Sequence, residues 1–266
     1  GIYIICEDDI RVYFQLNKYN QIISVVMDGV EIIPSFFLLR SLSIKSFSSK
    51  DTIKIGDYFL TKCENLEYIY LPKCEIIGNS FAYSSKLLKS INLPNVRKIG
   101  DEFLTCNEII ENIYMPNLQA VGNSFLYYNE KLKTLFLPNL ERIGNYFMNE
   151  NISLEKCDLP KLNKVGSSFL ARNTCLKEFN APNIMTIDSY FLRRNQELIY
   201  LYLPNIEEIK DDFLASNKRI RNLYIPTVKF IGNGFLYSNR DLINNLYMPN
   251  LLSFEGNDLK VQNKTL

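Results

Sequence analysis

The chain has 266 residues, with 30 basic and 29 acidic side chains and no histidine. Charges that nearly cancel give no global field for nucleic acid or an anionic membrane, and without histidine no Ser-His-Asp or Cys-His catalytic pair can form. No apolar run approaches the roughly 20 residues of a membrane-spanning helix, and Gly1 without a signal-peptide pattern is read as a mature chain.

Residues 1–50 look irregular. Two β-rich runs, 11–16 and 21–27, flank Asn17-Lys18-Tyr19-Asn20 and read as a hairpin-like N-terminal cap. A repeat phase already runs through this region. Phe37-Leu38 stands 22 residues before Phe59-Leu60, Phe47 stands 22 before Ile69, and Val25 stands 22 before Phe47. Pro34 replaces a glycine of the later units and Lys50 replaces a proline, as expected of degenerate repeats near the end of a stack.

From Phe59 onward the pattern is regular. Prolines stand at 72, 94, 116, 138, 160, 182, 204 and 226, and phenylalanines at every 22nd position from 59 to 235. The shared unit is L-x-x-L-x-L-P-N-L-x-x-I-G-x-x-F-L-x-x-N-x-x. A period in the twenties with apolar columns in phase predicts one elongated solenoid. Leu135-Phe136-Leu137 alternates with period two, so each unit contributes a short strand with one buried face. Stacking puts about eleven such strands, from Val25 to Met248, in one parallel sheet. Proline ends each strand, and Gly144 and its equivalents mark a close turn, although Asp188 and Lys210 take that place in two units. The polar residue after it, Asn145 for example, suits the start of a helical turn, and F-L-x-x-N reads as one or two turns of α- or 3-10 helix.

The Phe column is expected to be buried and continuous. An Asn column at 107, 129, 151, 173, 195, 217 and 239, with Cys63 and Ser85 in its first two places, is expected to point inward and bond backbone groups. The six cysteines lie in different columns, which disfavours a disulfide framework, and there is no zinc spacing. Cys74 and Cys157 fill columns of aliphatic residues and read as buried thiols. After Pro249 the spacing slips: the gap from Leu223 to Leu246 is 23 residues, and Phe254-Glu255-Gly256 reads as a further slip of one.

The place between the last two core residues of each strand reads Tyr70, Asn92, Tyr114, Phe136, Asp158, Asn180, Tyr202, Tyr224 and Tyr247. The neighbouring outward column adds Tyr68 and Tyr200 among Ser90, Asn112, Thr134, Lys156, Glu178, Asn222 and Asn245. Tyrosine supplies large, stiff, amphipathic contact area, so the eight aromatics are the candidate partner-binding residues. The competing reading is that they only stabilise the sheet across strands. Lys156, Asp158, Glu178 and Asn180 interrupt the aromatics, either as a polar centre between two arcs or as residues that pair among themselves. Arg172, Arg193, Arg194, Lys218, Arg219, Arg221 and Arg240 mark the later turns, but interspersed carboxylates make a solvated edge the better reading than a phosphate track.

The columns L-P-N-L-x-x-I-G-x-x-F-L-x-x-N resemble the BspA-like (Treponema pallidum-type) leucine-rich repeats over roughly residues 22–254. That class reads L-x-x-I-x-I-P-x-x-V-x-x-I-G-x-x-A-F-x-x-C. The present unit is one residue shorter, and Phe precedes Leu. The resemblance implies an arc-shaped solenoid with strands inside and short helical turns outside. It also implies a secreted or cell-surface protein of adhesin type that recognises other proteins.

The chain is thus expected to be a single solenoid domain. Residues 1–50 form the cap and degenerate repeats, 51–249 the regular repeats, and 250–266 a degenerate repeat or tail. The expected function is noncatalytic recognition of a protein partner through the concave aromatic face. Neither cofactor, metal, nucleic acid nor membrane insertion is expected, and the oligomeric state is open. The alternatives are the substrate-targeting domain of a multidomain bacterial effector, translocated into a host cell with its enzymatic part elsewhere, or a structural spacer.

Overall fold

The computed structural model describes residues 2–239 and 246–255. Arg240, Asn245, Gly256 and the 257–266 tail lie outside the described residues.

Three strands open the chain: β1 (Ile2–Glu7), β2 (Ile10–Leu16) and β3 (Ile22–Asp28). The first two pairings, β1 with β2 and β2 with β3, are antiparallel. From β3 onward each 22-residue unit makes one coil, and equivalent residues pair in parallel, as in Val25↔Phe47 and Phe47↔Ile69. Ten strands, from β3 to Asn222–Tyr224, stack on this side among the described residues, and residues 246–248 follow without strand pairing. Hydrogen bonding is continuous through Ser90–Asn92 and then resolves into pairs, such as Asn112–Tyr114 with Thr134–Phe136. The single eleven-strand sheet is therefore corrected to a segmented one.

A second parallel ladder was not expected. Two-residue strands such as Lys54–Ile55, Ile76–Ile77 and Lys98–Ile99 pair one period apart. In these two-residue strands the first residue is mostly exposed and the second buried. The run is too short for alternation to announce a strand. At the last coil Phe254 pairs with Ile231 and Glu255 N–H donates to Ile231 O at 3.0 Å. Phase is thus kept after the single insertion, Glu255 occupies the glycine place, and the second slip is withdrawn.

The helical turns are also corrected, since no helix occurs among the described residues. In F-L-x-x-N every second residue instead has positive φ, as at Tyr146 (57°), Met148 (50°) and Glu150 (61°). Their N–H groups leave the coil. Tyr146 donates forward to Ser167 O at 2.8 Å, Met148 back to Phe125 O at 2.9 Å, and Glu150 forward to Ala171 O at 3.0 Å. A left-handed non-glycine residue costs about 1–2 kcal/mol; here each one places an N–H on a neighbouring coil, so the turns form a third inter-coil ladder. A helix would have kept those bonds within itself.

Glycine has another task. A Cβ on Gly144 would lie 2.6 Å from Asn123 Oδ1, the atom that accepts the Asn145 N–H at 2.9 Å. The same bond runs from Asn79 to Asp57 and from Asn123 to Asp101. Backbone crowds the same Cβ, with Gly122 C at 2.6 Å and Asn123 N at 2.7 Å, and Gly56 is crowded in the same way by Ser35 N at 2.4 Å and Ser35 Oγ at 2.6 Å. Asp188 and Lys210 follow coils carrying Ser167 and Ser189, but Gly56 follows Ser35, so the shorter side chain does not by itself account for the two departures.

Between the ladders lies a linear core. Phe59 to Phe213 are fully buried and Phe235 is 7% exposed. From Phe81 to Phe235 successive rings stack face to face, 5.2 Å apart at Phe81–Phe103 and 5.6 Å at Phe191–Phe213. Burying each such ring stabilises the fold by roughly 1.5–3 kcal/mol. The Asn column points inward as expected: Asn129, Asn151 and Asn173 each donate Nδ2 to a carbonyl 25 residues earlier at 2.9 Å. Asn173 Oδ1 also accepts the Asn151 N–H at 3.1 Å. Ser85 Oγ and Cys63 Sγ donate to the equivalent carbonyls of Leu60 and Leu38, which accounts for that substitution set.

Candidate recognition face

Each regular strand of the first ladder directs its middle residue inward and the two flanking residues outward; in Tyr200–Tyr202 only Leu201 is buried. The outward columns are therefore fixed by strand geometry, which places the candidate aromatics from Tyr68 to Tyr224 on this one face; Tyr247 lies outside the strands. Tyr68, Tyr70, Tyr114, Phe136, Tyr200, Tyr202, Tyr224 and Tyr247 are between 46% and 67% exposed.

The face has internal order. Tyr202 and Tyr224 stack with centroids 4.9 Å apart and planes 9° from parallel, and Tyr114 and Phe136 stack at 5.1 Å and 6°. Such pairs stabilise by about 0.5–1.5 kcal/mol beyond area burial. Their inner faces cover each other, while each residue stays about half exposed or more. Tyr70 lies between Ser48 and Asn92 in register, and Lys89 Nζ stands 5.6 Å from the Tyr68 ring centroid. Tyr200 lies in register with Asn222. Tyr247 follows the inserted residue, and no ring pair among the described residues includes it. Two stacked pairs thus come together where two longer arcs were expected.

Between the pairs, Lys156 and Glu178 form an ion pair at 3.1 Å, and Asn180 Nδ2 donates to Asp158 Oδ1 at 2.7 Å. These four residues satisfy one another across adjacent coils. The hydrogen bond to Glu178 raises the Lys156 pKa above its usual value, and one lysine against two carboxylates leaves the centre formally one negative charge in excess.

Three of the basic turn residues are similarly engaged. Arg172 pairs with Glu150 at 2.9 Å, Arg219 pairs with Glu197, and the Arg193 guanidinium lies 5.4 Å from the Tyr190 centroid. Ion pairs elsewhere follow the same one-period rule, for example Lys133 with Glu111 and Lys229 with Glu207. Cys63, Cys74 and Cys157 are buried, and burial pushes the Cys63 and Cys74 thiols up to about 12. They are not poised nucleophiles. No helix among the described residues is long and apolar enough to cross a membrane, and no group of three or more potential ligands among them is placed to hold a metal ion.

Sequence reasoning missed one aromatic column. Tyr58, Tyr146 and Tyr190 occupy the first positive-φ place of their coils and are 39% to 49% exposed; Phe36 stacks on Tyr58 at 5.1 Å. Their 22-residue phase was visible, but the turn geometry that turns them outward was not.

Two inter-coil strand ladders, a turn ladder and a single-file core define a leucine-rich repeat solenoid. The chain belongs to the BspA type leucine rich repeat region family, whose model matches residues 31–149 and 120–243. Among solved structures it is similar to a leucine-rich repeat protein from Bacteroides ovatus ATCC 8483, with 14% identity, TM-score 0.57, and coverage of 92% of this chain and 83% of that one. The Treponema pallidum leucine-rich repeat protein gives 13% identity and TM-score 0.39 over 92% of this chain and 94% of that one. A leucine rich cell surface protein from Faecalibacterium prausnitzii A2-165 gives 9% identity and TM-score 0.34 over 97% and 96%. No curated protein matches the sequence.

Proposed function

We propose that the chain is a noncatalytic recognition module, secreted or on a cell surface, that binds a protein partner through the exposed aromatic face. The observation that carries this reading is the pair of stacked aromatic couples, Tyr114–Phe136 and Tyr202–Tyr224, which remain about half exposed or more on the strand face. Stiff aromatic residues in a polar surround concentrate binding energy at protein interfaces. The intervening Lys156, Asp158, Glu178 and Asn180 are already paired, so they contribute orientation more than affinity. The test compares binding of an isolated partner by Tyr202→Ala and Tyr224→Ala with binding by the turn-face variants Arg193→Ala and Arg219→Ala. Loss of about 2 kcal/mol or more in the tyrosine variants alone is expected, as at interface hot spots. Loss in the arginine variants with tyrosine binding retained would move the site to the turn face.

A further inference from the structure

The two sheets end differently at the N-terminal side. In the second ladder the residue at the glycine place donates its N–H to the coil before it at several coils, as Gly56 does to Ile33 O and Gly78 to Ile55 O, both at 2.9 Å. The first coil has Pro34 in that place, which carries no N–H. That edge is closed to further pairing by residue choice. The first ladder ends in β1, which among the described residues pairs with β2 on one side only. Its other edge has no proline, lysine or inward charge: Ile2, Tyr3, Ile4 and Ile5 are 74%, 56%, 57% and 60% exposed. An apolar strand edge left open in this way is a template for another strand.

We propose that this edge pairs antiparallel with β1 of a second copy of the chain, on a two-fold axis through Ile4. The choice of occupant rests on self-complementarity. A two-fold axis normal to the sheet keeps each side chain on its own face, so opposed residues must share parity. With Ile4 on the axis, Ile4 faces Ile4 of the second copy, Tyr3 faces Ile5, and Ile2 faces Cys6. Every apolar side chain from Ile2 to Cys6 meets another, while Glu7 falls outside the paired span. Moving the axis to Ile5 sets Glu7 against Tyr3 and strands Ile2; moving it to Tyr3 strands Ile5 and Cys6. One strand pair buries less than a standard interface, so the dimer is weak and concentration-dependent.

The pairing has a consequence for recognition. Ile4, Tyr13, Val26, Ser48 and Tyr70 lie in register along one face of the sheet. The same axis therefore places the strand faces of both copies on the same side of one continuous sheet. A partner with two matching sites would be held bivalently.

The test measures the association state of the 266-residue chain by sedimentation equilibrium, beside Ile4→Lys and Ile4→Glu variants and their equimolar mixture. Wild type is expected to dimerise with rising concentration. Each variant alone, setting like charges against each other on the axis, should associate roughly tenfold or more weakly. The mixture should recover dimer, which also shows that both variants fold. A wild-type chain monomeric at every concentration, an Ile4→Lys variant that dimerises like wild type, or a mixture no better than its components would overturn the proposal.

Discussion

Two aromatic columns run along this solenoid with almost the same ring geometry. In the core, Phe103 and Phe125 stack at 5.4 Å and 9°; on the strand face, Tyr202 and Tyr224 stack at 4.9 Å and 9°. The 22-residue period dictates that spacing in both, so stacking alone says nothing about role. Environment separates them. The phenylalanines are enclosed between three ladders, whereas the tyrosines remain nearly half exposed. One column is a condition of folding; the other is surface that a stable fold could have filled with any strand-compatible residue, as Asn92 and Asp158 already show.

The sharpest way to break that contrast is in the core. Phe147→Ala should lower stability by about 3–5 kcal/mol, because removing one ring from the stack leaves a cavity in a packed core. Denaturant titration reads this directly. The inward amides come next: Asn173→Leu keeps bulk but abandons the Met148 carbonyl and the Asn151 N–H, at a cost of about 1–3 kcal/mol. An unchanged midpoint would reduce the Asn column to a turn preference. A comparable effect is expected for Gly144→Ala, about 1–3 kcal/mol for overpacking, and Asn123→Ala in the same chain should recover only the part due to Oδ1, since Gly122 C and Asn123 N still meet the new methyl. Additive losses in that double-mutant cycle would contradict the coupling between the glycine and Asx columns.

The smallest effect is electrostatic. Hydrogen bonds from Lys73 and Lys89 hold the Asp51 and Glu67 carboxyls below their ordinary values of 3.8 and 4.5. The unfolded chain then takes up protons first as pH falls, so this stabilisation is present above the ordinary carboxylate range and lost on acidification through the lowered folded values. Melting followed from about pH 5 to about pH 3 should fall less steeply in Lys73→Ala and Lys89→Ala.

Much of this was legible in the sequence because it recurs. The Phe, Asn, Pro and outward Tyr columns declare themselves by period and alternation, and the strand face followed from both. The turns did not. Tyr146, Met148 and Glu150 are not residue types that favour positive φ, and nothing local distinguishes them from a helical turn. Their conformation is set by neighbouring coils, which supply the carbonyls that their N–H groups meet. The second ladder stayed hidden because two residues, such as Lys54–Ile55, are too few to show a period. For the candidate face, column membership was legible from the period, while the joining of Tyr202 to Tyr224 and the pairing of Lys156 with Glu178 depend on side-chain placement between coils.

The most direct measurement sets stability against binding in one protein. In the Tyr202→Ala, Tyr224→Ala double variant, the denaturation midpoint should shift far less than in Phe147→Ala, while affinity for a protein partner falls by about 2 kcal/mol or more. A midpoint that drops as far as in the phenylalanine variant, with affinity for the partner unchanged, would make the tyrosines part of the sheet's packing and contradict their assignment as the recognition surface.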